Sequence, residues 1–144
     1  MSDMVKVVRL YAKEAPVGVL DGRLVGLLVH QEQAAEWAVG PAHDGFRFTV
    51  KGTEDTVVAE GTERAPVAVR PDDSPASVWR LQRIDGNGPT TVTRLDELRD
   101  GIYAIDQNGL ALGRDLFEDR SLLPKRVFVR TDDRDPQWRI EVLA

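Results

Sequence analysis

Trp37-Ala38-Val39, Trp79-Arg80-Leu81 and Trp138-Arg139-Ile140 repeat one phrase three times: an aromatic, a small or charged residue, then an aliphatic. Upstream of each phrase apolar residues alternate, over residues 24–29, 67–69 and 127–129. A second sign of repetition is an Asp-Gly entry into an alternating run. Asp44-Gly45-Phe46-Arg47-Phe48 opens the middle of the chain and Asp100-Gly101-Ile102-Tyr103-Ala104 opens its last third. Self-similarity at this period is the mark of a fold assembled from equivalent units, each too small to bury its apolar face alone.

Each third divides into four apolar-alternating segments separated by turn-formers. The first holds residues 7–12, 18–20, 24–29 and 37–39, the second 46–50, 56–59, 66–69 and 78–81, and the third 101–105, 110–112, 126–129 and 138–142. Alternation in Phe46-Arg47-Phe48-Thr49-Val50 puts Phe46, Phe48 and Val50 on one strand face. Asp21-Gly22 has the composition of a type I′ hairpin turn, where glycine accepts the positive φ such turns require. Pro41, Pro71, Pro75, Pro89 and Pro136 are expected between segments, where a missing N–H costs no ladder bond. Helical pattern is confined to single turns at 95–99 and 115–119, with Asp96 and Asp115 as the expected caps. The reading is all-β: one domain over 1–144, a β-trefoil of three four-stranded repeats (5–44, 45–100 and 101–144) with pseudo-threefold symmetry. In that arrangement the tryptophans belong to the core.

Composition narrows the function. The chain has 144 residues, 42% of them hydrophobic and 30% charged, which suits one globular domain. Nineteen basic residues against 24 acidic ones leave a formal charge of −5, which opposes nucleic-acid binding. No run approaches the ~20 apolar residues of a membrane span, and the first residues lack the apolar core of a signal peptide. The expected location is cytoplasmic, with export by another route left open. There is no cysteine, hence no disulfide and no thiolate ligand or nucleophile. The two histidines, His30 and His43, stand in no zinc-binding spacing, and no glycine-rich phosphate loop occurs. Asp132-Asp133-Arg134-Asp135 and Asp85-Gly86-Asn87-Gly88 lack the ligand alternation of a calcium loop and read as solvated turns. No metal, no cofactor, no catalytic residue and no enzymatic activity are expected. Residues two before each tryptophan are Ala35, Ser77 and Pro136, so the Gln-x-Trp signature of ricin-like sugar-binding trefoils is absent.

Three stretches carry a resemblance. Pro16-Val17-Gly18-Val19-Leu20-Asp21-Gly22-Arg23-Leu24-Val25-Gly26-Leu27-Leu28, leading to Glu36-Trp37, resembles the first repeat of the small β-trefoil serine-protease inhibitors of the cospin type, known from fungi. Gly101-Ile102-Tyr103-Ala104-Ile105, Leu112-Gly113-Arg114-Asp115-Leu116 and Glu118-Asp119-Arg120-Ser121-Leu122-Leu123-Pro124-Lys125-Arg126-Val127 resemble that family's last repeat. Trp138-Arg139-Ile140-Glu141 closes in the same manner, and the middle repeat is the loosest match. The resemblance implies a monomeric inhibitor that holds a trypsin-like serine protease through the loop joining the second and third strands of the first repeat. The counterpart here is Leu20, Asp21, Gly22, Arg23 and Leu24. Arg23 suits the specificity role, because an arginine fork meets a buried carboxylate with charge-assisted hydrogen bonds. Arg64, Arg120 and Lys125 are secondary candidates. The alternative from another class is a trefoil that binds carbohydrate or protein without inhibiting anything.

Overall fold

The computed structural model describes residues 5–12, 15–27, 32, 34–43, 45–59, 67–86, 88–107, 110–114, 125–130 and 137–143. Among them the fold is all-β. In the first third run β1 (Lys6–Ala12), β2 (Ala15–Leu20), β3 (Arg23–Gly26) and β4 (Trp37–Ala42). β5 (Gly45–Val50), β6 (Asp55–Val58), β7 (Ala68–Pro71), β8 (Arg80–Arg83) and β9 (Thr90–Thr91) follow. The last third holds β10 (Gly101–Gln107), β11 (Leu110–Arg114), β12 (Lys125–Arg130) and β13 (Trp138–Val142). Every expected segment meets a strand. β9 is the addition: its two exposed threonines carry no alternation, and only pairing with Gln82 and Arg83 across the Asp85–Gly88 turn makes them a strand.

Antiparallel ladders close the sheet on itself. One circuit of seven strands runs β1–β4–β5–β6–β7–β3–β2 and returns to β1. A second circuit uses the strands that begin and end each third, β1–β4–β5–β8–β10–β13 and back to β1. Its β5–β8 step is a single bridge, in which Phe46 and Trp79 exchange backbone bonds of 2.8 Å in both directions. The strands left over form three hairpins, β2–β3, β6–β7 and β11–β12, and β3 touches both of the others. Closure leaves the barrel strands no free edge.

The core lies inside these circuits. Trp37, Trp79 and Trp138 are 0%, 0% and 1% exposed, and they share one cluster with Leu10, Phe46, Phe48, Leu81, Tyr103, Ile105 and Ile140. Burying an aromatic of this size contributes about 4–6 kcal/mol relative to leaving it in water. Phe46 and Phe48 face inward as the alternation required, and Val50 packs against their cluster from its rim. On the outer face, Lys51 and Arg9 meet Glu36 at 3.5 and 3.6 Å, and Arg9 lies 3.9 Å from Glu141. The Arg139 guanidinium stacks 3.7 Å above the Tyr11 ring. Each such exposed pair is worth well under about 1 kcal/mol.

Three local expectations are revised. Pro41 and Pro71 lie inside β4 and β7, not between strands. Pro41 stands past the last described β1–β4 pair, Lys6 with Val39, so no ladder on that side needs its N–H. The single turn at Leu95–Glu97 is capped by Glu97, not Asp96: its Oε1 accepts from Arg94 N at 2.9 Å and Thr93 N at 2.9 Å. Glu97 reaches back to the chain that enters the turn, whereas Asp96 stays exposed beside Arg94. The turn expected at 115–119 lies outside the described residues.

The repeated Asp-Gly entries acquire a reason. A Cβ on Gly45 would come 2.4 Å from the Trp79 carbonyl oxygen, and one on Gly101 2.8 Å from Asp85 Oδ2. Gly45 therefore permits the bridge that closes the six-strand circuit. Gly45→Ala is expected to destabilise the protein by about 1–3 kcal/mol, as overpacking does. Gly86→Ala, with open space around the added methyl, is expected to stay within about 0.5 kcal/mol. Urea denaturation of both variants checks this, and equal midpoints would show that the close approach is not limiting.

Candidate functional site

The β2–β3 hairpin places the candidate loop. Asp21 and Gly22 sit at φ 53° and 73°, the left-handed pair of a type I′ turn, and Leu20 pairs with Arg23 across it. Leu20, Asp21, Gly22 and Arg23 are exposed, while Leu24 is 1% exposed and belongs to the core. Val19 and Leu20 are 40% and 49% exposed, so the tip offers apolar surface beside the guanidinium of Arg23. The tip is also held from the side. Val69 N donates to Gly22 O at 2.7 Å, Leu24 N donates to Val67 O at 3.0 Å, and Arg23 stands opposite Ala68 of β7. Arg23 thus faces Leu20 on one side while its neighbours Gly22 and Leu24 bond to the β7 side, and what Arg23 presents outward is its side chain.

Of the secondary candidates, Lys125 alone lies among the described residues. Arg64 and Arg120 lie outside the described residues, as does the whole run from Glu118 to Pro124. Lys125 opens β12 and pairs with Gly26 at the far end of β3 from the turn. His43 is an exposed turn residue at φ 50°. Among the described residues no group of three or more His, Asp or Glu side chains could hold a metal ion. No helix among them is long and apolar enough to cross a membrane.

A second place emerges only from the fold. β5, β6 and β7 form the wall of an open cleft of about 570 Å³, lined by Thr49, Thr53, Glu54, Thr56, Asp72 and Asp73 with Pro71. Thr49 and Thr56 are paired strand neighbours whose hydroxyls lie 3.1 Å apart. Asp72 Oδ1 accepts from both the backbone N–H and the hydroxyl of Ser74 at 2.6 Å, which holds its carboxyl below the usual carboxylate range, with Arg70 adding to the effect. The Arg47 guanidinium donates to Asp73 O at 2.6 Å and to Ser77 Oγ at 2.8 Å, bracing the Pro75–Ser77 turn from below. The cleft therefore offers hydroxyls and carboxylate oxygens, but no aromatic platform. Sequence reading passed over it because Thr49 and Asp72 are far apart in the chain and Asp72-Asp73-Ser74-Pro75 looks like any polar turn. Its only signal was the threonine-rich segment 49–56.

No protein-family model matches the chain, and no curated protein matches it. Solved structures do. The chain is similar to an SDF2-like protein from Arabidopsis thaliana, at 10% identity and a TM-score of 0.66, over 96% of this chain and 94% of that one. It is also similar to the lysenin pore, at 12% identity and 0.63, and to lysenin in complex with phosphocholine, at 11% and 0.64. The chain spans less than half of those two, 46% and 45% of their length. At these identities the likeness is one of fold.

Two further carboxylates serve the scaffold. Asp85 is held low by Arg83, whose Nε lies 2.6 Å away, with Ile102 N donating at 3.1 Å. Glu97 is held low by the backbone N–H groups of Thr93 and Arg94. A carboxyl whose folded value is depressed stabilises the fold above its unfolded value, and that contribution is lost as pH falls through the folded value. The melting temperature is therefore expected to hold near neutral pH and to fall progressively below about pH 4. Asp85→Asn should flatten that acid limb in a thermal melt series; an unchanged slope would remove Asp85 from the account.

Proposed function

We propose that the chain is a monomeric β-trefoil that acts by binding, and that the tip of the β2–β3 hairpin is its contact with a trypsin-like serine protease. The trefoil reading is supported by the six-strand circuit with one hairpin per third of the chain. The observation that carries the function is the tip: exposed Leu20 and Arg23 on a turn fixed by two lateral backbone bonds. A loop ordered before it binds loses little further freedom on association. Arg23 would supply a guanidinium to a buried carboxylate, and Val19 and Leu20 the apolar contact around it.

The mode differs from that of a substrate. An extended segment that adds to an enzyme's edge offers free backbone groups, whereas Arg23 faces Leu20 across the turn and its neighbours Gly22 and Leu24 are bonded to the β7 side. Inhibition should therefore leave the Arg23–Leu24 bond intact. Titrating trypsin and subtilisin with the protein should inhibit trypsin, with Arg23→Ala weakening the effect by at least about 30-fold, as loss of one partner of a buried charge pair does. Mass spectrometry after prolonged incubation should find no cleavage after Arg23. Absence of inhibition at micromolar protein would end the reading, and inhibition unchanged in the variant would move it to another loop.

The cleft between β5, β6 and β7 favours a second reading, a module for a polyhydroxylated ligand such as a glycan. Threonine hydroxyls and carboxylate oxygens match the hydrogen-bonding groups of a sugar. Binding on a glycan array that Asp73→Asn abolishes and Arg23→Ala leaves intact would select this reading over the first.

A further inference from the structure

Two of the three tryptophans fasten a hairpin to the barrel. Trp79 Nε1 donates to the Val57 carbonyl of β6 at 3.0 Å, and Trp138 Nε1 donates to the Leu112 carbonyl of β11 at 2.7 Å. Each acceptor lies on the first strand of the hairpin in the same third of the chain. Trp37 is equally buried, at 0% exposure, yet its Nε1 meets no acceptor among the described residues. The chain entering Trp37 lies against the matching strand, because Ala35 N donates to Val17 O of β2 at 3.1 Å. Trp37 is thus the third member of the set, without the bond.

An N–H taken out of water and left unpaired carries its whole desolvation cost. That cost is relieved when water reaches the indole. In the other two thirds, lifting the first hairpin strand from its tryptophan breaks a buried hydrogen bond; in the first third it frees a buried donor to bond with water. At the same time the far end of the β2–β3 hairpin is tied by Val69 N to Gly22 O and by Leu24 N to Val67 O, while at the base β2 meets β1 through the Tyr11–Pro16 and Ala12–Ala15 pairs, which a lift must open. We propose that the β2–β3 hairpin is hinged: its tip stays fixed to β7 while its base, strand β2, lifts transiently from Trp37. The device keeps the tip in place for what it binds while the base yields.

Hydrogen exchange of the wild-type protein by NMR tests this, with the three indole N–H resonances assigned from Trp37→Phe, Trp79→Phe and Trp138→Phe. The Trp37 indole should exchange at least about tenfold faster than the other two, the ratio that a difference of ~1.4 kcal/mol gives. The amides of Ala35 and Leu27, which bond to Val17 O and Pro16 O on β2, should exchange at a matching opening frequency. A Trp37 indole as protected as Trp79 and Trp138 would overturn the proposal. So would fast indole exchange while Ala35 and Leu27 stay protected, since water would then reach the indole without any lift of β2. The variants give an independent reading: Trp37→Phe should lower the unfolding midpoint less than Trp79→Phe or Trp138→Phe, and equal losses would show that the Trp37 N–H is paired.

Discussion

The reciprocal bridge between Phe46 and Trp79 is the contact on which the rest of the barrel depends. Every other step of the six-strand circuit is a ladder of at least three residue pairs; this one is a single pair with two bonds of 2.8 Å. Three requirements meet there. Gly45 must lack a Cβ so that β5 can approach the Trp79 carbonyl. The Trp79 ring must be buried, and its N–H must find Val57 on β6. Arg47, one residue further along β5, reaches the Pro75–Ser77 turn that delivers the chain to Trp79. Closure is thus enforced by the approach to the bridge on both strands rather than by the length of the ladder.

The recurrent Trp phrase and the Asp-Gly entries were legible because the constraints they answer recur: in each third an indole that must cover the core, and in the second and third a strand that begins in close contact with a neighbour, the Trp79 backbone or the Asp85 side chain. The I′ turn was legible for a similar reason, since Asp21-Gly22 can adopt positive φ twice in succession and most dipeptides cannot. What the sequence hid are properties of pairing across distance. Thr90 and Thr91 become a strand only because Gln82 and Arg83 lie opposite. Glu97 overrides Asp96 as the cap because it lies three residues past Arg94, within reach of two free N–H groups. The cleft is assembled by the β5–β6 and β6–β7 registers, and no local pattern encodes the meeting of Thr49 with Thr56 and Asp72.

The candidate site shows the same division. The exposure of Arg23 follows from its place after the turn, and a sequence can show that much. Its lateral fastening to β7 cannot be read locally, because Val67 and Val69 arrive from another third of the chain. That fastening acts through Gly22 and Leu24, while the backbone of Arg23 itself faces Leu20 across the turn. The residue retains a guanidinium for recognition but has no backbone donor or acceptor left for an enzyme's edge strand.

The unequal treatment of the three tryptophans bears on where a pseudo-symmetric protein can specialise. Three equivalent units need not contribute equally to stability once the barrel has closed, because closure depends on the strands that begin and end each unit. The hairpins are then free to diverge. The second and third bind their tryptophans from beneath, while the first has no such bond and is held by its tip and by the β1 and β12 pairs at its base. A hairpin held at its tip presents that end at a fixed place while its base yields, which suits a recognition element better than one fixed along its length. With all three indoles inside the core, aromatic stacking is not available to a ligand at these positions. Recognition would then fall to polar edges and hairpin tips, and among the described residues the tip of the first hairpin carries both apolar area and a cation.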